Sequence, residues 1–309
     1  MKSKALMKAR VRVPPSTSNL GAGFDCIGVA VDRWLNASVE VSDKSSSVTI
    51  KRAGAVTGLS HVAEKDLLHV GFQLACDVCE VTLPGGVAYD VTSTIPVARG
   101  LGASAAALVA GAFLANGALN LDLDSRAIAE LCAGYEGHPD NAAPSVFGGA
   151  VLGIPISNDK YAFAPLRIHA GLTLVFAVPN LEILTSEARA VLPKSVPHVT
   201  AVTAAAKSAA LVEGLNSGDK ALLAFALDDV IHVPFRRQLI PGYDSIVAAA
   251  IKTGAFGATL SGSGSTIVAI APRDAAARVG KAMQSAWQSV GQTAEVIITE
   301  KMVGGAALE

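Results

Sequence analysis

The chain has 309 residues, enough for one large domain or two of ordinary size. Hydrophobic residues make up 51% and charged residues 17%, with a mean hydropathy of +0.44, a composition too apolar for a disordered polypeptide. The net charge of −1 has its signs interspersed, which argues against a nucleic-acid footprint or a polybasic membrane-binding segment and leaves a small molecule as the expected partner.

Residues 100–121 carry no charge over a length that could span a bilayer, but they are mostly Ala and Gly and include Ser104, Asn116 and Asn120. Residues 141–158 are broken by Pro144 and Pro155, and neither stretch has a basic flank. Both are read as buried elements of a soluble protein. Residues 1–10 are basic without an apolar signal core, so no export signal is expected and the expected compartment is the cytoplasm. The four cysteines, Cys26, Cys76, Cys79 and Cys132, are too few for a disulfide framework. Cys76 and Cys79 form a CxxC with no second pair and no nearby His, which favours core thiols on a helix over a metal site.

Residues 8–13 alternate polar and apolar, as a half-buried strand does. More strand-like text follows at 28–43 and 46–52, and helical weighting at 66–81. Pro84-Gly85-Gly86 turns the chain into a strand at 87–94. A loop from Pro96 to Gly102 leads into an Ala-rich helix ending near residue 118. Asp124 and Ser125 mark the N-cap region of a second helix through Tyr135, followed by a polar loop at 137–141. Beyond about residue 160 come a strand at 171–178, helices near 199–215, 219–229 and 243–253, a Gly/Ser loop at 261–265, a strand at 266–271, a helix at 274–290 and a strand at 294–299. Strands and helices do not strictly alternate, so the pattern fits α+β better than a doubly wound sheet, with a division expected near residues 155–165.

Three polar segments carry candidate chemistry. In Arg99-Gly100-Leu101-Gly102-Ala103-Ser104 a glycine loop enters a helix N-terminus, where free amides and the positive dipole end form an anion site and Ser104 can present a hydroxyl to phosphate or Mg²⁺. The loop lacks the Lys of a Walker A motif and the spacing of a dinucleotide fingerprint, and a plain chain turn accounts for its glycines equally well. Ser261-Gly262-Ser263-Gly264-Ser265 can form an anion nest, but it also suits an ordinary flexible turn. Residues 14–25 are turn-rich, with Asn19 and Asp25 on either side of Gly21 and Gly23. Glu130 lies on the second helix and His138 just beyond it; a solvated helix face explains Glu130 without any function.

Together these segments resemble the GHMP kinases, the superfamily of galacto-, homoserine, mevalonate and phosphomevalonate kinases. The matching motifs are PPSTSNLGAGFDCIG at 14–28, ARGLGASAAA at 98–107 and LSGSGST at 260–266, in the family's order. Within the superfamily the closest resemblance is to the homoserine kinase family. It rests on the Ser-Asn-Leu-Gly-x-Gly-Phe-Asp text, on Gly137-His138-Pro139-Asp140-Asn141-Ala142-Ala143-Pro144 with Phe147-Gly148-Gly149, and on Val233-Pro234-Phe235-Arg236 leading to Pro241-Gly242.

That resemblance implies a two-domain α+β fold, with a ribosomal-protein-S5-like N-terminal domain over 1–160 and a ferredoxin-like C-terminal domain over 161–309. It implies ATP and Mg²⁺ as cofactors and L-homoserine as the small-molecule substrate, phosphorylated on its side-chain hydroxyl in threonine biosynthesis, with no nucleic acid and no membrane; a homodimer is compatible with it. By the same resemblance Ala98, Arg99, Gly100, Leu101, Gly102, Ala103, Ser104 and Ala105 hold the ATP phosphates, and Ser104 and Glu130 hold Mg²⁺. Asn19, Asp25, His138, Thr185, Arg189, Arg236 and Gly262 bind substrate, with the two guanidiniums clamping a carboxylate and Asp25 facing an ammonium or hydroxyl. Asn141 stands where related kinases place a catalytic Asp, and an amide is no base. Adenine is expected within residues 58–72.

The chain departs from the family pattern at Ala103, where the first of two serines is usual, and at Arg99, where a small residue is usual. Two rivals remain on sequence alone: a GHMP kinase for another small alcohol, mevalonate-like or sugar-like, and a non-catalytic nucleotide-binding regulator on the same fold. A dehydrogenase is more distant still, since no dinucleotide fingerprint is present.

Overall fold

The computed structural model describes residues 7–42, 47–59, 62, 65–157 and 160–309. Residues 1–6, residues 43 and 46 of the strand text expected at 28–43 and 46–52, residues 60, 61, 63 and 64 of the expected adenine region, and residues 158–159 lie outside the described residues.

The first half contains strands β1 (Met7–Val13), β2 (Ser16–Asn19), β3 (Gly23–Ala30), β4 (Leu35–Ser42), β5 (Val48–Gly54) and β6 (Gly86–Ser93). Helices α1 (Leu67–Val78), α2 (Ala103–Leu119), α3 (Ser125–Glu136) and α4 (Ala142–Phe147) belong to it, as do β7 (Ala150–Ser157) and β8 (Lys160–Leu166). The second half contains β9 (Leu172–Pro179), α5 (Thr185–Ala190), α6 (His198–Ser217), α7 (Lys220–Leu227), α8 (Val233–Arg236) and α9 (Tyr243–Lys252). It ends with β10 (Gly257–Leu260), β11 (Ile267–Pro272), α10 (Ala276–Ser289), β12 (Ala294–Thr299) and β13 (Ala307–Leu308).

The fold is α+β. A five-stranded sheet runs β13-β1-β4-β6-β5, and two four-stranded sheets run β2-β3-β7-β8 and β10-β11-β9-β12. Among the described strands only β5 and β6 pair in parallel. In β1 the alternation works as expected: Val11 and Val13 are buried while Lys8, Arg10 and Arg12 face solvent. The turn-rich text at 14–25 folds as the β2–β3 hairpin, whose register shifts between Ser18 and Asn19. The expected division at 160/161 falls at the first residue of β8, a strand that pairs with β7 in one sheet.

Strand β9 is buried along its whole length. Its period of two sends Leu172, Leu174, Phe176 and Val178 into the large core shared with α1 and α2, and Val175 and Ala177 into a second core around Tyr243, Met283 and Trp287. One strand thus fastens the two halves through both of its faces. Among the described residues no helix is long and apolar enough to cross a membrane.

The Ala-rich helix α2 is buried because it packs against α1 on one side and against β1 and β4 on the other. Small residues allow that approach. A Cβ on Gly71 would stand 2.0 Å from the Leu108 carbonyl oxygen, and one on Gly111 would stand 1.9 Å from that of Leu68. We therefore expect Gly111→Ala to lower the stability by about 1–3 kcal/mol through overpacking. A thermal denaturation midpoint equal to that of the unmodified chain would contradict the close crossing.

Candidate active site

The loop before α2 is shaped by left-handed backbone at Ala98 (φ 54°), Gly100 (φ 73°) and Gly102 (φ 60°). Gly102 caps α2 and has no side chain to accept from the first amides. The first helical bond runs from the Ala106 amide to the Gly102 carbonyl (3.0 Å), so the amides of Ala103, Ser104 and Ala105 have no acceptor within the helix. Ser104 is exposed at this end.

The Gly/Ser loop that joins β10 to β11 docks onto this turn. Ser261 donates its hydroxyl to the Gly100 carbonyl (2.6 Å), and the Thr266 amide donates to the Arg99 carbonyl (3.2 Å). A Cβ on Gly100 would lie 2.2 Å from the Ser261 carbonyl oxygen. On the other side the Gly262 amide donates to Ser18 O (3.0 Å), and the Asn19 side-chain amide donates to Gly262 O (2.9 Å). All three segments that are ambiguous in the sequence meet here, around a cavity of about 620 Å³. That volume suits a small-molecule site.

Charged groups converge on the cavity. Arg189, from α5, makes two parallel hydrogen bonds to the Asp25 carboxylate, at 2.9 and 3.1 Å. Asp25 sits at positive φ (56°), and its amide donates to Asn19 Oδ1 (3.0 Å). Arg236 is 2% exposed; its Nε donates to Ala188 O (3.1 Å) and its Nη1 to Gly262 O (3.2 Å). Burial, and then the neighbouring Arg189 charge, pull its pKa down to about 10.

Beyond α3, His138 Nδ1 and Asp140 Oδ1 are 2.6 Å apart. Burial alone would lower the His138 pKa, but the bond to Asp140 and the charges of Asp140, Glu136 and Asp25 outweigh it and raise it. The Asn141 amide is already engaged: its Oδ1 accepts from Ser16 Oγ (3.1 Å) and its Nδ2 donates to Ser18 Oγ (3.2 Å).

Glu136, the last residue of α3, borders the cavity together with Ser104. Burial pushes its pKa up to about 7, against the pull of His138 and the Ser104 hydroxyl. Its Oε2 is buried and has no hydrogen-bond partner.

The structure brings nearly all of the expected residues to this cavity. Asn19, Asp25, Ala98, Arg99, Gly100, Leu101, Gly102, Ala103, Ser104, His138, Asn141, Thr185, Arg189, Arg236 and Gly262 border it. Ala105 does not, since its side chain is fully buried, and only its amide is left to serve the site. Glu130 does not border the cavity, and Glu136 does. The reason is helical phase. Six residues at about 100° each place Glu130 roughly 240° round the helix from Glu136. The signal is present in the sequence, because Glu136 directly precedes the Gly-His-Pro-Asp-Asn loop. Val56, Leu59, Val62 and Leu67 supply an apolar wall near the expected adenine region.

Comparisons with known proteins cover almost the whole chain. Residues 53–149 match the GHMP kinases N terminal domain and residues 206–289 the GHMP kinases C terminal domain. The chain is 37% identical to the homoserine kinase of Trichormus variabilis over 93% of its own length and 94% of that protein's. The chain belongs to the homoserine kinase family. To the homoserine kinase of Gloeobacter violaceus it is 38% identical over 90% of this chain and 92% of that one. The crystal structure of homoserine kinase from Cytophaga hutchinsonii superposes with a TM-score of 0.87 at 29% identity, covering 100% of this chain and 99% of that one. As a member of this kinase family the chain uses ATP.

Sequence reasoning passes over His232, which is fully buried and stacked on Phe24 with ring centroids 4.9 Å apart. Burial lowers its pKa from 6.5 to about 4, even though Asp229 lies nearby. Between those two values the unfolded chain binds a proton that the folded chain rejects, so this contribution is intact above 6.5 and is lost as pH falls towards 4. We expect the urea midpoint of the unmodified chain to fall more steeply between pH 7 and pH 5 than that of a His232→Gln variant. Parallel slopes would show that His232 is protonated in the fold.

Proposed function

We propose that the chain transfers the terminal phosphoryl group of ATP to the side-chain hydroxyl of L-homoserine, giving O-phospho-L-homoserine for threonine biosynthesis. One observation carries this reading: a single cavity joins a helix N-terminus lined by unpaired amides to a carboxylate–guanidinium pair matched to an amino acid's two charges. The apolar wall at Val56, Leu59 and Val62 suits a nucleotide base next to that N-terminus.

Ala103, Ser104 and Ala105 offer their amides to phosphate oxygens, and the dipole of α2 favours the negative charge. The Ser104 hydroxyl and the Glu136 carboxylate form an all-oxygen donor set with an unsatisfied buried atom, which fits Mg²⁺. Bound there, Mg²⁺ would neutralise charge on the transferring phosphoryl group.

On the substrate side, Arg189 and Arg236 hold the carboxylate and Asp25 receives the ammonium. An amino acid can enter because it offers each partner of the Asp25–Arg189 pair an opposite charge in exchange. An alcohol bearing only a carboxylate competes with Asp25 for Arg189 and offers Asp25 no cation in return. Asn19, Thr185 and His138 complete the shell, with His138 fixed by Asp140. Asn141 supplies no base; tied to Ser16 and Ser18, it shapes the floor beside Gly102. Alignment and charge neutralisation therefore carry the acceleration, as a loose phosphoryl-transfer transition state permits.

The decisive experiment is ADP release with L-homoserine, L-threonine, L-serine, 4-hydroxybutyrate and mevalonate. L-Homoserine is expected to be preferred and 4-hydroxybutyrate poor; equal turnover of mevalonate would overturn the substrate assignment. In the same assay Glu136→Gln and Ser104→Ala are expected to lower kcat by roughly a hundredfold or more, whereas Glu130→Gln stays within about twofold. The reverse ranking of the two glutamates would remove Glu136 from the site.

A further inference from the structure

We infer that His232 is a positioning residue, held as the neutral Nε2–H tautomer, that sets the aim of Arg236 toward the substrate carboxylate and locks the turn carrying Asn19 and Asp25. The inference rests on the amino-acid reading of the cavity given above.

The chemistry of its two partners fixes the tautomer. Nε2 lies 3.1 Å from the Gly21 carbonyl oxygen, which can only accept, so Nε2 must carry the proton. Nδ1 lies 3.4 Å from Arg236 Nη1, which can only donate, so Nδ1 must present its lone pair. An imidazolium would place a second N–H against the guanidinium inside a dry core.

Arg236 is thereby almost fully specified. Its Nε is taken by Ala188 O, and the two protons of Nη1 go to Gly262 O and His232 Nδ1. Among the described residues Nη2 is left without a protein acceptor, and it is the nitrogen available to a ligand oxygen in the cavity that Arg236 borders. The guanidinium also lies over the Phe24 ring, with 5.1 Å to its centroid, and the other neighbour of that ring is His232 itself.

The His232 backbone is no less constrained. Asp229 Oδ2 accepts from the amides of Ile231 (3.0 Å), His232 (2.7 Å) and Val233 (2.9 Å), which fixes the start of α8. From there the imidazole reaches back across 211 residues of sequence to Gly21. Gly21 lies between Asn19 and Asp25, and its own Cβ position is closed by the Ala226 carbonyl at 2.8 Å. A single neutral ring therefore ties the ammonium-facing turn to the carboxylate-facing arginine.

Two variants separate these links. His232→Asn keeps an acceptor near the place of Nδ1, and His232→Gln keeps a donor near the place of Nε2. The readout is the ratio of kcat/KM for L-homoserine to that for 3-aminopropan-1-ol, its analogue without the carboxylate. A hydrogen bond to a charged group is lost in His232→Gln, so that ratio is expected to fall roughly tenfold or more, while His232→Asn keeps it within about threefold. The KM for ATP is expected to stay unchanged in both. A purely structural role would depress both substrates and ATP together, and that result, or equal ratios in the two variants, overturns the inference. Nitrogen NMR of the unmodified protein is the second measurement and needs no variant to fold. It should show His232 as the Nε2–H tautomer at pH 7, and an Nδ1–H tautomer or an imidazolium overturns the proposal. An unmodified enzyme with no preference for L-homoserine over the analogue would instead strike down the substrate reading, and the tautomer result would still stand or fall alone.

Discussion

Gly100 can have no side chain because the Ser261 carbonyl oxygen occupies the space, 2.2 Å from where a Cβ would be, with the Gly264 amide nitrogen at 2.8 Å. The phosphate-type turn from the first half and the Gly/Ser loop from the second half are in backbone contact, and the rest of the site depends on that contact. Ser261 hydrogen-bonds both Gly100 and Thr17, while the Gly262 carbonyl receives Asn19 and Arg236. Docked, each loop satisfies backbone groups of the other. The free amides of α2 are thus aimed into a space whose opposite wall is already built.

Within that space the charges are mostly paired off. Asp25 is engaged by Arg189 and Asp140 by His138, and the ligand-capable atoms of Asp25, His138 and Asp140 all lie within 4.8 Å of one another. Those three could look like a metal site, yet each carboxylate already has a cationic or donor partner. Among the described residues the buried Oε2 of Glu136 has no protein partner, and Nη2 of Arg236 makes no hydrogen bond to the protein. An unpartnered polar atom in a buried place is costly unless a ligand satisfies it. The cavity is therefore polarised, with an unpartnered carboxylate oxygen on Glu136 at one place and the Arg236 guanidinium at another.

The sequence discloses the parts of this design that are local. The glycines at 100 and 102, the Ser104 hydroxyl and the loop at 261–265 stand within contiguous motifs, the strand period of β1 and the helix period of α1 follow short-range patterning, and α2 is legible from its run of alanines. The hairpin β2–β3 reads as a turn because its first strand is polar, and the burial of that strand comes from the second half of the chain rather than from its own composition. Glu130 enters the sequence reading through the resemblance alone, whereas the helical phase that separates it from Glu136 matters only once the cavity is located. His232 is invisible there for a related reason: its partners, Gly21 and Arg236, are joined only by the tertiary fold, and a lone buried His has no periodic signature.

Arg99 and Ala103, the two departures from the family's phosphate-loop pattern, concern different things. Arg99 is bound to backbone and neighbours: Nε to Pro179 O (3.0 Å), Nη1 to Val97 O (3.0 Å) and Nη2 to Asn180 Oδ1 (3.1 Å). It fastens the loop to the end of β9, the strand that already joins both cores, and the Ile183 amide adds a bond to Ala98 O (3.1 Å). Ala103 borders the cavity, and a methyl group there supplies no hydrogen bond to the loop. The loop's hydrogen bonds therefore do not depend on a hydroxyl at this position. The free amides at the start of α2 and the exposed Ser104 hydroxyl remain on a loop whose geometry is fixed from outside by an arginine and a serine loop.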